Sequence, residues 1–318
     1  MQKTVKTLIA EVQKKRPVFA PQEIAGGLVI AKLKNPDNFI VRPQHPLFSF
    51  KKFFVPAKET LLFYNHNRQK MPRPGKKIAL AGLGLQDLKY VLLYDLVFQN
   101  DPLYQQRRKS IFLIAHNQTP GPESNFAHME FSENALKEFP YDIFLILEKG
   151  DVRFAAGSLA GKKILRKINQ PFADFSRHQV FRPAVLPEIP QKIQQKMLAA
   201  ENLPIWEELN KKCLRCGKCS VVCPTCFCFR LDDQPALNGQ AGNRQRCWDS
   251  CFFDEFHEVT GGHDFQPAIK NRIHFWYYHK FARIPKEFNL TGCVGCKRCH
   301  LVCPADIDIQ KVLEAVMK

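Results

Sequence analysis

Two stretches of the 318-residue sequence share one spacing of cysteines: Cys213-Leu-Arg-Cys216-Gly-Lys-Cys219-Ser-Val-Val-Cys223-Pro224 and Cys293-Val-Gly-Cys296-Lys-Arg-Cys299-His-Leu-Val-Cys303-Pro304. Both read C-x2-C-x2-C-x3-C-P, the spacing with which bacterial ferredoxins hold [4Fe–4S] clusters. In proteins with two such clusters, the fourth cysteine of a run binds the other cluster. The repeated run therefore predicts two [4Fe–4S] clusters and a role in electron transfer.

This crossed arrangement also predicts which cysteines hold each cluster. The first set is Cys213, Cys216, Cys219 and Cys303. The second set is Cys293, Cys296, Cys299 and Cys223. Backbone N–H groups and nearby charges tune such clusters. The residues expected to provide close backbone approach are Gly217 and Gly295, and those expected to add positive charge are Lys218, Lys297 and Arg298.

The distribution of cysteines predicts two domains. All 12 cysteines lie from Cys213 to Cys303, and the first 212 residues contain none. Residues 1–205 mix apolar strand candidates such as Ile111–Ala115 with helical patterns, which predicts an α+β domain. Helical patterns at Trp248–Val259, Pro267–Arg283 and Ile309–Met317 predict an all-α, helical ferredoxin domain over residues 206–318.

Charge, hydropathy and cysteine spacing indicate the binding partners and the cellular compartment to expect. The net charge of +17 is spread over short clusters such as Arg107-Arg108-Lys109, which favours a solvated basic surface or an acidic protein partner over nucleic acid. The N-terminus has no apolar signal segment, and no window holds 18 uninterrupted apolar residues, so neither export nor a membrane span is expected. Cysteines in C-x2-C spacing then indicate metal binding in a reducing cytoplasm, and exposed clusters favour an anaerobic organism.

A glycine pair and two histidines outside the cysteine runs could suggest nucleotide binding or a further site, but the sequence does not favour either. Gly82-Leu83-Gly84 follows a predicted strand, but Asp87 stands where a dinucleotide-binding motif has its third glycine. A tight turn between strand and helix is the better prediction. His116 and His128 are isolated, and both are expected to be polar loop residues.

Four cysteines lie outside the two runs: Cys226, Cys228, Cys247 and Cys251. They form a possible third metal site, because twelve cysteines make three sets of four. The alternative is that they are buried thiols that pack beside the clusters, as free cysteines often do. The four-residue spacing predicts that Cys247 and Cys251 share one face of a helix. The C-x-C step fits poorly around a cube, which favours the packing interpretation.

Four segments in this order resemble one family: Cys213–Cys228, Trp248-Asp-Ser-Cys251, Gly261-Gly-His-Asp-Phe265 and Cys293–Pro304. From Ile205 onward the chain is similar to the β subunit of cytosolic NAD(P)-linked [NiFe] sulfhydrogenases and to the dicluster iron–sulfur subunit of anaerobic sulfite reductase. The N-terminal part resembles the family more faintly, for example at Phe53-Phe-Val-Pro56.

This resemblance implies a non-catalytic subunit of a hetero-oligomeric oxidoreductase. Its clusters would carry single electrons between a flavin subunit that handles NAD(P)H and a metal-containing catalytic subunit. Relatives commonly have N-terminal cysteines at the turn that corresponds to Gln86-Asp87, after Ala115 and near 125–127, and this chain has none of them. If those cysteines hold a cofactor in relatives, the resemblance implies that this chain has lost it and that residues 1–205 serve chiefly as a docking scaffold. They also tend to have arginine at position 247, where this chain has cysteine.

Two alternatives remain at this point. The same cysteine runs could serve a heterodisulfide- or quinone-linked oxidoreductase, and the runs alone do not separate these partners. A zinc-stapled nucleic-acid-binding protein is a remote alternative, because zinc takes four ligands, commonly as two pairs, and has no use for a third cysteine at x2 and a fourth at x3.

We predict that replacing Lys218 or Lys297 by glutamine lowers the reduction potential of a cluster. Reduction makes the cluster more negative, so loss of a nearby positive charge disfavours the reduced form. EPR-monitored redox titration of each variant measures this potential. An unchanged or raised potential in both variants would contradict the prediction.

Overall fold

The computed structural model describes residues 2–66, 68–72, 75–118, 131–148, 150–176, 188–237 and 239–318. The chain forms two compact units, of which the first comprises Met1–Phe50, Gly75–Val185 and Val294–Cys296. The second comprises Lys51–Pro74, Leu186–Cys293 and Lys297–Lys318. This division differs from the predicted domains, 1–205 and 206–318, because the segment Lys51–Pro74 groups with the C-terminal unit.

Both units contain strands and helices. The strands are β1 (Val18–Ile24), β2 (Gly27–Lys32), β3 (Lys58–Asn65), β4 (Arg68–Lys70), β5 (Ile78–Leu83), β6 (Ile111–His116), β7 (Ile143–Glu148), β8 (Asp151–Ala156), β9 (Phe172–Asp174), β10 (Phe229–Pro235), β11 (Ala241–Trp248), β12 (Glu258–Val259) and β13 (His263–Asp264). The helices are α1 (Gln2–Gln13), α2 (Lys51–Phe54), α3 (Leu85–Val97), α4 (Pro102–Ser110), α5 (Ala135–Glu138), α6 (Leu159–Lys167), α7 (Glu188–Leu198), α8 (Pro204–Lys212), α9 (Lys218–Val222), α10 (Ile269–Tyr278), α11 (Ile284–Phe288), α12 (Arg298–Leu301) and α13 (Ile309–Met317).

A seven-stranded sheet in the order β2-β1-β5-β6-β7-β8-β9 forms the framework of the first unit. Strands β1, β5, β6 and β7 are parallel to one another, β2 pairs antiparallel with β1, and β8 pairs antiparallel with β7 and parallel with β9. All six residues of the central strand β6 are buried, as expected for a strand that is covered on both faces. The main core cluster joins this sheet to apolar side chains of α1 and α6, which include Leu8, Ile9 and Leu165. Sheet and helices together agree with the α+β prediction.

The glycine pair after β5 forms the tight turn that the sequence predicts. Gly82 has φ +85°, and a Cβ there would lie 3.1 Å from the Cδ of Pro21, so glycine suits the position on two grounds. Gly84 is the N-cap of α3, and its N–H donates to the Asp87 carboxylate at 3.0 Å. Asp87 thus closes the start of the helix.

The prediction that His116 is a polar loop residue is wrong. His116 ends strand β6 and is 1% exposed. Burial lowers the pKa of this imidazole to about 4, so the ring is neutral at pH 7. His128 lies outside the described residues.

The second unit contains a sheet, so the prediction of an all-α region over residues 206–318 is wrong. Strands β10 and β11 join β3 and β4 in the antiparallel order β10-β11-β3-β4. The predicted helix Trp248–Val259 is instead the end of β11, a turn, a short 3-10 segment at Asp254–Phe256 and the start of the small β12–β13 ribbon. A buried ion pair fixes β11 to β3, with 2.7 Å between Arg246 Nη2 and Glu59 Oε2.

The remaining elements of the second unit are mainly helical. Helix α10 continues through a π-helical segment at His279–Arg283 into α11. The predicted helices Pro267–Arg283 and Ile309–Met317 therefore agree with the structure, the first with a change of helix type near its end. In the described ranges, no helix is both long and apolar enough to span a membrane.

The buried His116 predicts a specific dependence of stability on pH. Its folded-state pKa of about 4 lies below the ordinary value of 6.5, so the unfolded chain takes up the proton first as the pH falls. Stability that is present above pH 6.5 is lost as the pH falls toward 4, by up to about 3 kcal/mol.

Amide hydrogen exchange of peptides from β5 and β6, followed from pH 7 to pH 4, measures this loss. His116→Gln removes the titrating group, so the stability difference between wild type and variant should change with pH. His66→Gln alters an exposed histidine and serves as the control. If the difference in stability between the wild type and His116→Gln does not change between pH 7 and pH 4, the lowered pKa of His116 is contradicted.

Candidate iron–sulfur sites

The structure brings the first predicted ligand set around one cavity. Its lining includes all four members of that set, Cys213, Cys216, Cys219 and Cys303, and also Cys299. The rest of the wall is largely apolar and includes Phe252, Ile273, Trp276, Tyr277 and Ile309. A pocket with several thiols and few other polar groups suits an iron–sulfur cluster, whose potential depends on burial and on hydrogen bonds to sulfur.

The two cysteine runs adopt the same backbone conformation. Left-handed φ values occur at Arg215 (56°) and Gly217 (67°) in the first run, and at Gly295 (69°) and Lys297 (50°) in the second. These are equivalent positions, since each pair stands just before and just after the second cysteine of its run. Such turns wrap the loop around its centre, and each non-glycine residue there costs roughly 1–2 kcal/mol. A short helix follows each run: α9 begins after Gly217, and α12 begins after Lys297.

Gly217 meets a second constraint. A Cβ at this position would lie 2.4 Å from the ring of Phe253 and 3.0 Å from Oγ of Ser250. The Ser250 hydroxyl is itself hydrogen-bonded to that of Ser220, at 2.5 Å. Glycine at position 217 therefore also lets the loop backbone lie close to the turn after β11.

Burial raises the pKa values of two thiols around the first cavity. Desolvation, reinforced by neighbouring thiols, raises the pKa of Cys219 to about 12, and desolvation also raises that of Cys213. At neutral pH these groups are protonated when no metal is bound. Iron must therefore displace protons as it binds, which makes loading of the site dependent on pH.

The buried side chain of Lys280 lies near two cysteines of the second ligand set, Cys223 and Cys293. The Nζ of Lys280 lies 3.3 Å from Sγ of Cys223 and donates hydrogen bonds to Thr225 Oγ1 at 3.0 Å and to the Gly292 carbonyl at 3.2 Å. Burial disfavours the charge of Lys280, but the thiols of Cys223, Cys226 and Cys293 raise its pKa well above the ordinary value. Lys280 therefore faces the last cysteine of one run and the first cysteine of the other.

The other members of the second set are half-buried: Cys293, Cys296 and Cys299. The buried ring of Tyr277 lies within electrostatic reach of Cys299 and Cys293 from the second set and of Cys219 from the first. Of the predicted positive charges, Lys218 is exposed, Lys297 is half-buried and Arg298 is buried. Solvent screens an exposed charge, so we expect Lys297 to affect a cluster more than Lys218 does. Lys280 and Tyr277 lie on α10 and its π-helical extension, outside both cysteine motifs, so the spacing of the cysteines gave no indication of them.

The four additional cysteines do not form one group. Cys226, Cys228 and Cys251 line a second, smaller cavity together with His279 and Lys280. Cys247 lies on β11, opposite Arg230 of β10 and Lys58 of β3, and its thiol interacts with Asp232. The prediction that Cys247 and Cys251 share a helical face is wrong, because the segment before Asp249 is a strand.

Side chains that could together bind one metal ion would form a further kind of site. Among the residues that the structure describes, no group of three or more histidine, cysteine, aspartate or glutamate side chains is arranged around one metal ion.

Comparison with known proteins identifies the family. Residues 212–307 match the 4Fe-4S dicluster domain. Over 280 residues the chain is 30% identical to sulfhydrogenase 2 subunit beta of Pyrococcus furiosus, a match that covers 84% of this chain and 82% of the relative. The chain belongs to the sulfhydrogenase β-subunit family. The resemblance inferred from the sequence is thereby confirmed. Family and domain together support an iron–sulfur electron-transfer subunit with 4Fe–4S clusters.

The crowding at Gly217 gives a test of the first site. Gly217→Ala should cost more than the backbone strain alone, because the added methyl overlaps Phe253. Gly239→Ala is a matched control: Gly239 has the same φ of +67°, and a Cβ there would meet nothing within 4 Å.

We expect Gly217→Ala to lower the iron content of the purified protein and to weaken its reduced-state EPR signal. Gly239→Ala should leave both unchanged. Equal iron content in the two variants would show that the space at Gly217 does not matter to the site.

Proposed function

We propose that this member of the sulfhydrogenase β-subunit family relays single electrons through two [4Fe–4S] clusters. One cluster would be held by Cys213, Cys216, Cys219 and Cys303, and the other by Cys293, Cys296, Cys299 and Cys223. The observation that carries this proposal is the lining of one cavity by three cysteines of the first run and the last cysteine of the second. Such crossing of ligands is typical of two-cluster ferredoxins.

The residues around the two sets suit a relay and not a catalytic centre. When bound, the clusters supply one-electron chemistry without proton transfer. The apolar wall of the first cavity, with Ile273, Trp276 and Tyr277, limits water around the sulfur atoms. Lys280 holds a positive charge beside Cys223, where it favours the more negative, reduced state. Tyr277 is buried within reach of cysteines from both sets, so the two centres share one protein interior.

The partners in this proposal are a flavin subunit that exchanges electrons with NAD(P)H and a metal-containing catalytic subunit. The relative in Pyrococcus furiosus is named as a β subunit of a sulfhydrogenase, which supports a hetero-oligomer and a hydrogenase-type catalytic partner. The net charge of +17 is consistent with docking onto acidic surfaces of such partners.

Metal content and redox behaviour test the relay. The anaerobically purified chain should contain at least about eight irons with matching sulfide. Cys219→Ser and Cys299→Ser should each lose about four irons, because each removes a ligand of a different cluster. Loss of the same EPR signal in both variants would contradict the two-cluster assignment.

The role as a relay has its own test. NAD(P)H should not reduce the clusters of the isolated chain, whereas dithionite should. In the complex purified from its source, NAD(P)H should reduce the same clusters through the flavin subunit. NAD(P)H oxidation by the isolated chain, or zinc without iron and sulfide in an anaerobic preparation, would overturn the proposal.

A further inference from the structure

The second cavity is lined by thiols that the two predicted ligand sets do not use. Cys226, Cys228 and Cys251 lie on its wall, and His279 and Lys280 lie beside them. The thiols of Cys228 and Cys251 are hydrogen-bond partners, and Cys226 pairs in the same way with Cys223. Cys226 and Cys228 come from the turn after the first run, Cys251 from the turn after β11, and His279 from the end of α10.

Two buried lysine side chains face these thiols. Lys280 is 3% exposed and contacts Cys223 directly, while Lys51 is 4% exposed and lies within electrostatic reach of Cys226, Cys223 and Cys228. The Lys51 Nζ also lies 4.1 Å from the centre of the Trp248 ring. Burial of an ammonium group is costly unless negative charge lies nearby. The thiols of the second cavity lie near two buried lysine side chains.

Thiolates bound to iron carry negative charge and are therefore compatible with two buried lysine side chains nearby. An iron–sulfur cluster spreads its ligands over several iron atoms, so its ligands need not meet at one point.

We propose that Cys226, Cys228 and Cys251 hold a third [4Fe–4S] cluster, with the imidazole of His279 as its fourth ligand. Each thiol gives up its proton as its sulfur binds iron, and histidine replaces cysteine as a ligand in some iron–sulfur proteins. The ring of His279 stands edge-on to Phe227, with 5.7 Å between ring centres, which orients it at the cavity wall. Cys247 is excluded from this site, because it interacts with Asp232 on the sheet.

The decisive experiment measures iron and acid-labile sulfide of the full chain after anaerobic reconstitution with ferrous iron and sulfide. Wild type should bind about twelve irons. Cys228→Ser and Cys251→Ser should each bind about four fewer and lose one and the same reduced-state EPR signal. His279→Ala should lose or change that same signal, and Cys247→Ser, the matched control, should keep the wild-type content and spectrum.

Two outcomes overturn this inference. One is wild-type protein with about eight irons and Cys228→Ser and Cys251→Ser variants with unchanged iron content. The other is a loss of iron from Cys247→Ser as large as that from Cys251→Ser, which would indicate a general effect of buried serine. Neither outcome affects the two-cluster relay, whose ligands are tested separately by Cys219→Ser and Cys299→Ser.

Lys51→Met tests the electrostatic argument without removing a ligand. The variant should shift the EPR-monitored potential of the signal lost in Cys251→Ser to more negative values, because the cluster loses a nearby positive charge. Lys52→Met alters the exposed neighbour of Lys51 and should leave this potential unchanged. An unshifted potential in Lys51→Met contradicts a cluster beside Lys51.

Discussion

The hydrogen bonds of Lys280 join parts of the chain that are far apart in sequence. Its ammonium group contacts the Cys223 thiol, the Thr225 hydroxyl and the Gly292 carbonyl, which immediately precedes the second cysteine run. Thr225 also donates to the Gly292 carbonyl, at 2.6 Å. A charge buried in this way is stable only when its partners remain in place, so the position of each cysteine run depends on the other.

The second unit also depends on a segment from the N-terminal half of the sequence. Strand β3 pairs with β11, and the ion pair between Glu59 and Arg246 is buried on both sides. The indole N–H of Trp248 donates to the Val55 carbonyl at 3.0 Å, and Lys51 stacks on the Trp248 ring. The N-terminal segment with Phe53-Phe-Val-Pro56 that resembles the family thus belongs structurally to the cluster-binding unit. Its contacts fix the end of β11, from which the chain continues to Cys251.

The motifs made part of this structure predictable, because the spacing of their cysteines is set by local chemistry. The α+β character of the first unit followed from runs of apolar residues such as β6, and the turn at Gly82 followed from its glycine. The sheet of the second unit was missed because β11 pairs with β3, whose residues lie nearly two hundred positions earlier, and local periodicity carries no sign of such pairing. Lys280 was missed, and His116 was wrongly predicted to be a loop residue, for a related reason. Burial of a side chain depends on the residues that pack against it, and these are distant in the sequence.

The two cysteine runs share a backbone conformation although their glycines stand at different positions. Each run places left-handed residues on both sides of its second cysteine, yet its single glycine follows that cysteine in the first run and precedes it in the second. Arg215 and Lys297 adopt the same conformation as the glycines opposite them in the repeat. The two runs therefore share a backbone conformation and not the positions of their glycines. A comparison that requires glycine at fixed places would judge these loops unrelated, and divergent copies of this loop in other proteins are better sought through the cysteine spacing alone.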